Sequence, residues 1–346
     1  MEFASPALVN RSLRTSRSLS TVDDVLDMQT APRATTVARL PLPLLPIASV
    51  SVVIPAKNVA AYIGETIASA LAQDQVAEVI VVDDGSTDDT IAIVRAVADP
   101  RLRLMTNDSA GVSSARNLGA RHASGDWLVF LDADDRLRDG AVAALLAAAR
   151  RAPRAVVVYG DYNTIDSEGR QIGRRELLKG RRKPSGDVLA RLARGNFIVN
   201  GGITIARAEA FRAVGGFDVS LRYCEDWHCW CRLAAIGEFA FVPRLLLDYR
   251  VHTTNTMNAA TRTPQDFFPA LARIFDDGLI LARLPQGSAA ELRQTAEIHL
   301  VTYSAMQAVR VGRYRDALAY LGMVGRRSLK SLPRATARVV LTCFGI

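Results

Sequence analysis

The sequence has few cysteines and no long apolar run that is free of proline. Only four cysteines occur in 346 residues, and three of them, Cys224, Cys229 and Cys231, fall in one short segment. A disulfide framework needs paired cysteines spread along the chain, so this spacing argues against one and indicates a reducing compartment, the cytoplasm. The longest uncharged run, residues 40–56, contains four prolines. We therefore expect no transmembrane helix.

The first 46 residues lack both an export signal and an apolar period. Arginines and aspartates interrupt each short apolar stretch, and the segment is rich in Ser, Thr, Arg and Pro. A signal peptide would show a basic start followed by an uninterrupted apolar stretch. We expect residues 1–46 to be a disordered leader.

The net charge of +8 is concentrated in two segments. Residues 170–194 hold nine basic and two acidic side chains, and residues 310–346 hold eight basic and one acidic. Nucleic-acid binding would call for aromatic residues among the basic ones, and residues 170–183 have none, so we expect no nucleic-acid partner. The basic C-terminal end also carries Val339, Val340, Leu341 and Phe344. That composition fits peripheral contact with an anionic membrane at its inner face, a phosphorylated acceptor, or plain solvated surface.

From residue 50 the chain alternates between short apolar runs and helix-like stretches. The apolar runs cover residues 50–54, 79–82 and 128–131, and the helix-like stretches cover 60–71, 87–97, 111–123 and 140–151. This alternation predicts an α/β fold with a mainly parallel sheet covered by helices. From about residue 264 the composition is dominated by Ala, Leu and Arg, and no acidic clusters occur. This composition predicts a helical, basic C-terminal region over residues 261–346.

Acidic residues follow two of the predicted strands directly. Asp83 and Asp84 end one strand, and Asp132, Asp134 and Asp135 follow another. Because the carboxyl ends of parallel strands meet at one sheet edge, these carboxylates would repel one another unless a cation or a donor lies between them. An Asp-x-Asp turn suits Mg²⁺ or Mn²⁺ bound to phosphate oxygens, although Asp is also common in ordinary turns.

Four segments in order resemble the donor-binding core of family 2 glycosyltransferases. They are Val53–Asn58, Val81–Thr90, Gly111–Gly119 and Phe130–Asp135, and the resemblance extends over about residues 48–255. It implies the GT-A nucleotide-diphosphosugar transferase fold over residues 47–260. Residues 47–136 would form the nucleotide-sugar half and residues 137–260 the acceptor half.

The resemblance also implies the roles of individual residues in donor binding. Asp84 would accept a hydrogen bond from the base edge, Asp132 would approach the ribose, and Asp134 would hold a divalent metal, Mn²⁺ or Mg²⁺, on the diphosphate. Lys57 stands where family members often have Tyr, so no aromatic ring stacks on the base. The full expected donor site is Pro55, Ala56, Asn58, Asp84, Arg116, Asp132 and Ala133.

Two later segments complete the implied active site. Glu225-Asp226 resembles the family's catalytic pair, in which Asp226 would be the general base that takes the proton of the acceptor hydroxyl. Glu225 would hold a second acceptor hydroxyl or orient Asp226. Tyr249 to His252 resembles the closing Tyr-Arg-x-His segment, so His252 would reach the metal or the diphosphate, with the polar stretch 253–258 closing over the donor.

One further group of residues has to be weighed as a zinc site. Cys224, His228 and Cys231 would share one helical face, but their spacing matches no common zinc pattern and a fourth ligand is missing. We interpret them as buried cysteines and an unligated histidine.

The sequence thus predicts an inverting, metal-dependent glycosyltransferase. It would move a sugar from a nucleotide-diphosphate sugar, with UDP-sugars favoured, to a saccharide or lipid-linked acceptor in cell-surface polysaccharide or glycolipid synthesis. The chain has no Gln-x-x-Arg-Trp segment, so we expect it to be non-processive. Two alternatives are a non-catalytic nucleotide-sugar binding protein and a sugar nucleotidyltransferase. The latter would be expected to carry a glycine-rich phosphate loop where this chain has Pro55 to Asn58.

Overall fold

A mixed sheet of eight strands organises the part of the chain that the computed structural model describes, residues 49–172, 183–198, 200–252 and 262–343. The strand order is β3-β2-β1-β4-β7-β6-β8-β5. The predicted leader, part of the basic segment 170–194 and the polar stretch 253–258 lie outside the described residues. The strands are β1 Val50–Ala56, β2 Val76–Asp83, β3 Leu102–Thr106, β4 Trp127–Phe130, β5 Arg136–Leu137, β6 Ala155–Ile165, β7 Thr204–Arg207 and β8 Glu238–Arg250.

The N-terminal half of the sheet is parallel. Strands β3, β2, β1 and β4 pair in parallel, and the helices between and after them are α1 Ile63–Leu71, α2 Thr90–Ala96, α3 Val112–His122 and α4 Ala141–Arg151. Continuous apolar runs form these strands because helices cover both faces of the sheet. Helix α3 packs closely on β1 at Gly119, where a Cβ atom would lie 2.4 Å from Val53 Cγ1. These elements confirm the predicted α/β fold.

The C-terminal half of the sheet changes direction at β7. This strand is antiparallel to both β4 and β6, β6 is parallel to β8, and β5 is antiparallel to β8. Four of the seven pairings in the described sheet are therefore parallel. Three helices accompany these strands, α5 Leu189–Ala193, α6 Ala208–Ala213 and α7 Glu225–Ile236. Helix α7 buries Trp227 and Trp230, and its first turn lies at the candidate site.

Between residues 262 and 343, the described part of the C-terminal region, the α-helices are α8 Phe268–Asp276, α9 Gly278–Leu281, α10 Ala289–Arg310, α11 Tyr314–Arg327 and α12 Leu332–Cys343. Leu271, Ile274 and Leu292 join the main core, whereas Val301, Val324 and Val339 belong to a second core among α10, α11 and α12. The predicted helical region is therefore present, and its first part packs against the α/β domain. Among the described residues, no helix is both long and apolar enough to cross a bilayer.

Candidate active site

The loops after β1 and β2 are joined to each other at the carboxyl edge of the sheet. Asp84 N donates to the Ala56 carbonyl over 2.8 Å. Asn58, in the left-handed region with φ 52°, accepts from Thr87 N at 2.7 Å through its side-chain oxygen. Pro55 is half-buried and Ala56 is buried. The two loops that contain Pro55, Ala56, Asn58 and Asp84 of the predicted donor site are therefore hydrogen-bonded to each other. The side-chain oxygen of Asn58 already accepts one of these hydrogen bonds.

The carboxylate of Asp84 is held by three groups. It accepts from Asn107 Nδ2 at 2.6 Å and from Gly111 N at 3.0 Å, and Lys57 Nζ lies 3.7 Å away. The Lys57 side chain is half-exposed. Lys57 therefore occupies the outer side of the carboxylate that the sequence predicts to recognise a base. A bound base would have to share Asp84 with Lys57 or displace it.

The acidic turn after β4 is fixed in place by Asp135. This buried carboxylate accepts from Arg250 N at 2.8 Å and from Asn200 Nδ2 at 2.6 Å. Burial and the neighbouring charges of Asp134 and Asp132 raise the pKa of Asp135 well above its ordinary value. Ala133 is buried and its carbonyl accepts from Thr66 Oγ1 at 2.8 Å. Because its side chain is buried, Ala133 could contact a nucleotide-sugar only through backbone atoms.

The two predicted metal ligands lie in contact. His252 Nε2 is 2.9 Å from Asp134 Oδ2, and both side chains are partly exposed. Burial and the charge of Asp132 raise the pKa of Asp134. Among the described residues, no three His, Cys, Asp or Glu side chains converge on a common ion site. A carboxylate and an imidazole in this setting fit a divalent cation that takes its other ligands from a substrate diphosphate.

Arg116 bridges the acidic turn and the predicted catalytic pair. Its Nη2 donates to Asp132 Oδ1 at 2.6 Å and its Nη1 donates to Glu225 Oε1 at 2.9 Å. Burial opposes the charge of Arg116, but Asp132 and Glu225 outweigh it and raise the pKa. The guanidinium also lies 5.5 Å from the centroid of the Phe217 ring. Arg116 thus joins the acidic turn after β4 to the first turn of α7 through two carboxylates.

Asp226 lies in the first turn of α7 with both oxygens oriented by N–H donors. Oδ1 accepts from Trp227 N at 2.7 Å and Oδ2 accepts from Asn196 Nδ2 at 3.2 Å. Burial and the neighbouring Glu225 carboxylate raise the pKa of Asp226 to about 7. A general base works best when its pKa lies near the working pH. Cys224, immediately before the helix, takes a left-handed φ of 58°, an uncommon conformation for a non-glycine residue.

Two residues that were given no role from the sequence, Asn200 and Arg250, hold the site together. Asn200 Nδ2 reaches both Asp135 and Asp132 Oδ2, the latter at 3.2 Å. Arg250 Nε donates to the Asp134 carbonyl at 2.8 Å. Two local signals were present, since Arg250 stands in the Tyr-Arg-x-His segment and Asn200 begins an Asn-Gly-Gly sequence. The structure requires glycine at Gly201, where a Cβ atom would lie 2.7 Å from the Phe130 carbonyl oxygen.

In the cysteine and histidine group, Cys224 is half-buried just before α7, whereas His228 and Cys231 are buried within the helix. Cys229 and Cys231 are buried, and burial raises the pKa of each thiol. His228 Nε2 lies 3.1 Å from Asp277 Oδ2, an oxygen that also accepts from Arg232 Nη1 at 3.0 Å. These contacts tie α7 to the residue that caps α9.

The comparisons with known proteins agree with this geometry. The model of glycosyl transferase family 2 matches residues 51–215. The matched segment is a family 2 glycosyltransferase domain. The match contains Asp84, Arg116, Asp132 and Asp134 and ends before the Glu225-Asp226 pair.

Similar proteins place this family 2 domain in a wider context. Chondroitin synthase from Escherichia coli is 30% identical over 226 residues, which are 64% of this chain and 30% of that protein. The chain therefore spans less than a third of that relative. TarS 1–349 from S. aureus, solved with UDP-GlcNAc, has a TM-score of 0.59 at 18% identity and covers 85% of this chain and 89% of its own. The mannosyltransferase PcManGT from Pyrobaculum calidifontis, solved with GDP-Man and Mn²⁺, has a TM-score of 0.56 at 22% identity, over 87% of this chain and 82% of its own. The two structures show that the fold is GT-A.

Proposed function

We propose that this chain transfers a sugar, with inversion and without processivity, from a nucleotide-diphosphate sugar to an acceptor hydroxyl. One observation carries the proposal. Arg116 joins Asp132 of the acidic turn to Glu225, next to a carboxyl, Asp226, with a pKa of about 7. A single side chain, Arg116, thus connects the acidic turn expected to hold the diphosphate with the residue next to the candidate base.

The chemistry assigned to the chain is a single displacement. Asp226 takes the proton of the acceptor hydroxyl while that oxygen bonds to the anomeric carbon, and the bond from the anomeric carbon to the diphosphate oxygen breaks. The electron pair of that bond leaves with the nucleoside diphosphate. Arg116 adds fixed positive charge beside the departing group, although Asp132 and Glu225 share that charge. A single displacement inverts the configuration at the anomeric carbon.

Asp134 and His252 are the residues proposed to hold a divalent cation, Mn²⁺ or Mg²⁺. The contact between the two side chains and the raised pKa of Asp134 support this assignment, because a cation would relieve the repulsion from Asp132. When bound, the cation would neutralise charge on the diphosphate. PcManGT, which shares the fold, was solved with Mn²⁺.

The proposed donor site consists of the residues expected from the sequence, with UDP-sugars favoured. The oriented carboxylate of Asp84 suits a base that presents an N–H group, which both uracil and guanine do. TarS holds UDP-GlcNAc and PcManGT holds GDP-Man, so a test must include both bases. Through Ala56 and Ala133 the protein would contact the donor by backbone groups, since both side chains are buried.

The proposed acceptor is a saccharide or lipid-linked molecule of cell-surface polysaccharide or glycolipid synthesis, reached in the cytoplasm at the inner face of the membrane. Helices α11 and α12 and the 3₁₀ turn Leu329–Ser331 between them support contact with an anionic membrane, because exposed apolar and basic side chains are interspersed along this segment. The apolar ones are Tyr314, Leu318, Leu329, Val340 and Leu341, and the basic ones are Arg315, Arg326, Lys330, Arg334 and Arg338. Within the described part of the chain, none of these five basic side chains forms an ion pair.

Vesicle sedimentation tests the membrane contact. Vesicles with anionic lipid should bind the protein and zwitterionic vesicles should not, and the double change Arg334→Glu with Arg338→Glu should release it. Arg150→Glu with Arg151→Glu, two exposed arginines at the end of α4, is the matched control. Equal binding of both charge-reversed variants would remove the membrane from the proposal.

Two other functions remain as alternatives to sugar transfer. A non-catalytic nucleotide-sugar binding protein needs no base, whereas Asp226 has a pKa suited to one. A sugar nucleotidyltransferase would bind a triphosphate after β1, but Lys57 in that loop lies against Asp84. Both observations favour sugar transfer.

Binding and hydrolysis of a panel of UDP- and GDP-sugars, with and without Mn²⁺, test the proposal. Asp134→Ala should lose the metal-dependent part of donor binding, and Asp226→Asn should bind donor but lose turnover. Asp276→Asn, at an exposed carboxylate of α8, is the control and should change neither. If no nucleotide-sugar binds under any metal condition, the donor site is wrongly assigned. If Asp226→Asn turns over like the wild type, the base is wrongly assigned.

A further inference from the structure

The loop that follows α5 brings Asn196 to the candidate base. Asn196 is exposed, and its Nδ2 donates to Asp226 Oδ2 at 3.2 Å. No part of the proposed chemistry above uses this residue. Because Asn196 is open to solvent beside Asp226, it borders the space in which an acceptor hydroxyl would meet the base.

The amide of Asn196 is held in one orientation. Its Oδ1 accepts from Ile198 N at 3.0 Å, so the amide nitrogen must face Asp226. Turning the amide over would set oxygen against the carboxylate and lose the hydrogen bond from Ile198. Ile198 is buried, which fixes the end of this short turn in the core.

The C-terminal region anchors the same loop. His299 of α10 lies with Nδ1 2.7 Å from the Arg194 carbonyl, and since a carbonyl only accepts, Nδ1 carries the proton. Gly195 makes this approach possible, because a Cβ atom there would lie 3.0 Å from His299 Nδ1. On the other side, Trp227 Nε1 donates to the Leu192 carbonyl at 2.7 Å. The last turn of α5 is thus bonded to α7, the helix that carries Asp226, and the first residue of the loop, Arg194, is bonded to α10.

We propose that Asn196 is a positioning residue for the general base, and that α10, through His299, holds the Asn196 loop in place. This inference rests on the proposed function. Asn196 and Trp227 each give one N–H to the carboxylate of Asp226, which fixes its plane and favours its ionised form.

The hydrogen bond from Asn196 affects the protonation of Asp226 because opposing influences act on that carboxyl. Burial and Glu225 favour the neutral acid, whereas Trp227 N, Arg116 and Asn196 favour the carboxylate. The thiols of Cys224 and Cys229 also face it, and burial raises the pKa of each, so both stay neutral. Losing the Asn196 donor would shift the balance toward the protonated form, which cannot act as a base.

Asn196→Ala is the variant that removes the donor to Asp226 without adding a charge. Asn196→Asp keeps an oxygen for Ile198 N–H, but it removes the donor and also sets a second carboxylate beside Asp226, so its effect should be the larger. For Asn196→Asp we expect the acid limb of the rate profile to move up by about one pH unit, which lowers kcat roughly fivefold at pH 7 and about tenfold on the acid side. The loss should shrink at high pH, where Asp226 is ionised in either protein. A loss that is independent of pH, or one confined to KM, would overturn the inference. Asn196→Ala should move the acid limb in the same direction.

His299→Phe tests the anchor from a distance, since it keeps a ring but removes the donor to Arg194. We expect a shift of the acid limb in the same direction and smaller than that of Asn196→Asp. His122→Phe, at the exposed C-terminal end of α3, is the matched control and should leave the profile unchanged. A His299→Phe profile identical to that of the wild type would remove α10 from the account.

A titration that needs no substrate separates this inference from the proposed function. In protein labelled with ¹³C at aspartate carboxyls, Asp226 is assigned by the signal lost in Asp226→Asn. The inference predicts a higher pKa for Asp226 in Asn196→Ala than in the wild type, whether or not a donor is known. An unchanged titration in Asn196→Ala would contradict the inference even if sugar transfer were established.

Discussion

Replacing Asp226 by Asn should stabilise the folded protein at pH 8 while it abolishes sugar transfer. In the folded chain the pKa of Asp226 is about 7, against an ordinary value of 3.8. Between these values the folded state binds more protons than the unfolded state, so the stability contributed by this group falls as pH rises. Once the pH is above about 7, the folded protein carries the full free-energy cost of ionising Asp226. Asp226→Asn removes it because the amide does not ionise.

The size of the effect follows from that difference. Between the two pKa values, each pH unit lowers the free energy of unfolding of the wild type by about 1.4 kcal/mol. From pH 5 to pH 8 the loss sums to roughly 3 kcal/mol. Because part of the Asp226 shift comes from the neighbouring Glu225 carboxylate, we take about 1.5 kcal/mol as the least that should be seen. The amide also faces the Nδ2 of Asn196 with a donor of its own, but that cost does not vary with pH.

Urea unfolding of both proteins at pH 5, 6, 7 and 8 measures this difference. The stability gained by Asp226→Asn should grow across the series. Asp218→Asn is the control of opposite sign. Although burial acts to raise the pKa of Asp218, hydrogen bonds from Ser220 and Arg273 hold it below the ordinary value, so its loss should destabilise the protein at neutral pH. A constant difference between wild type and Asp226→Asn from pH 5 to pH 8 would refute the reasoning.

Three further changes test the surroundings of the site. Arg116→Lys should lower kcat by about a hundredfold, since one ammonium cannot serve two carboxylates in this geometry, and full activity would contradict the bridge. Asn200→Ala should lower the free energy of unfolding by about 1–3 kcal/mol, because Asp135 loses a buried donor, and a loss of under about 0.5 kcal/mol in urea would count against that role. Gly119→Ala should cost about 1–3 kcal/mol through its clash with Val53, and an unchanged urea midpoint would show that α3 shifts freely.

The acidic turn after β4 could be predicted because its signals are local. Asp132 and Asp134 directly follow a buried strand, so a sheet edge and an acidic turn follow from adjacent residues. The Arg116 to Glu225 pair could not be predicted in the same way, because 109 residues separate the two and no local pattern specifies which side chains meet. The direction of β7 was also hidden, since the four residues Thr204–Arg207 are all buried and carry no period that reveals an antiparallel strand.

Asp135 shows a similar limit. From the sequence it was compatible with an ordinary turn, whereas in the structure its buried carboxylate accepts hydrogen bonds from Arg250 N and Asn200 Nδ2. Its role depends on β8 returning to the edge where β4 ends, and that pairing is set by the whole sheet. Residues that bind distant backbone need the fold before they can be assigned.

The anomeric configuration of the transferred sugar tests the central claim most directly. Once the panel has identified a donor, NMR of the reaction with acceptor, or with water in its place, reports the configuration of the first product formed. The account predicts inversion in the wild type and no product from Asp226→Asn at the same donor occupancy. Retention of configuration, or an unchanged rate in Asp226→Asn, would contradict a single displacement with Asp226 as the base.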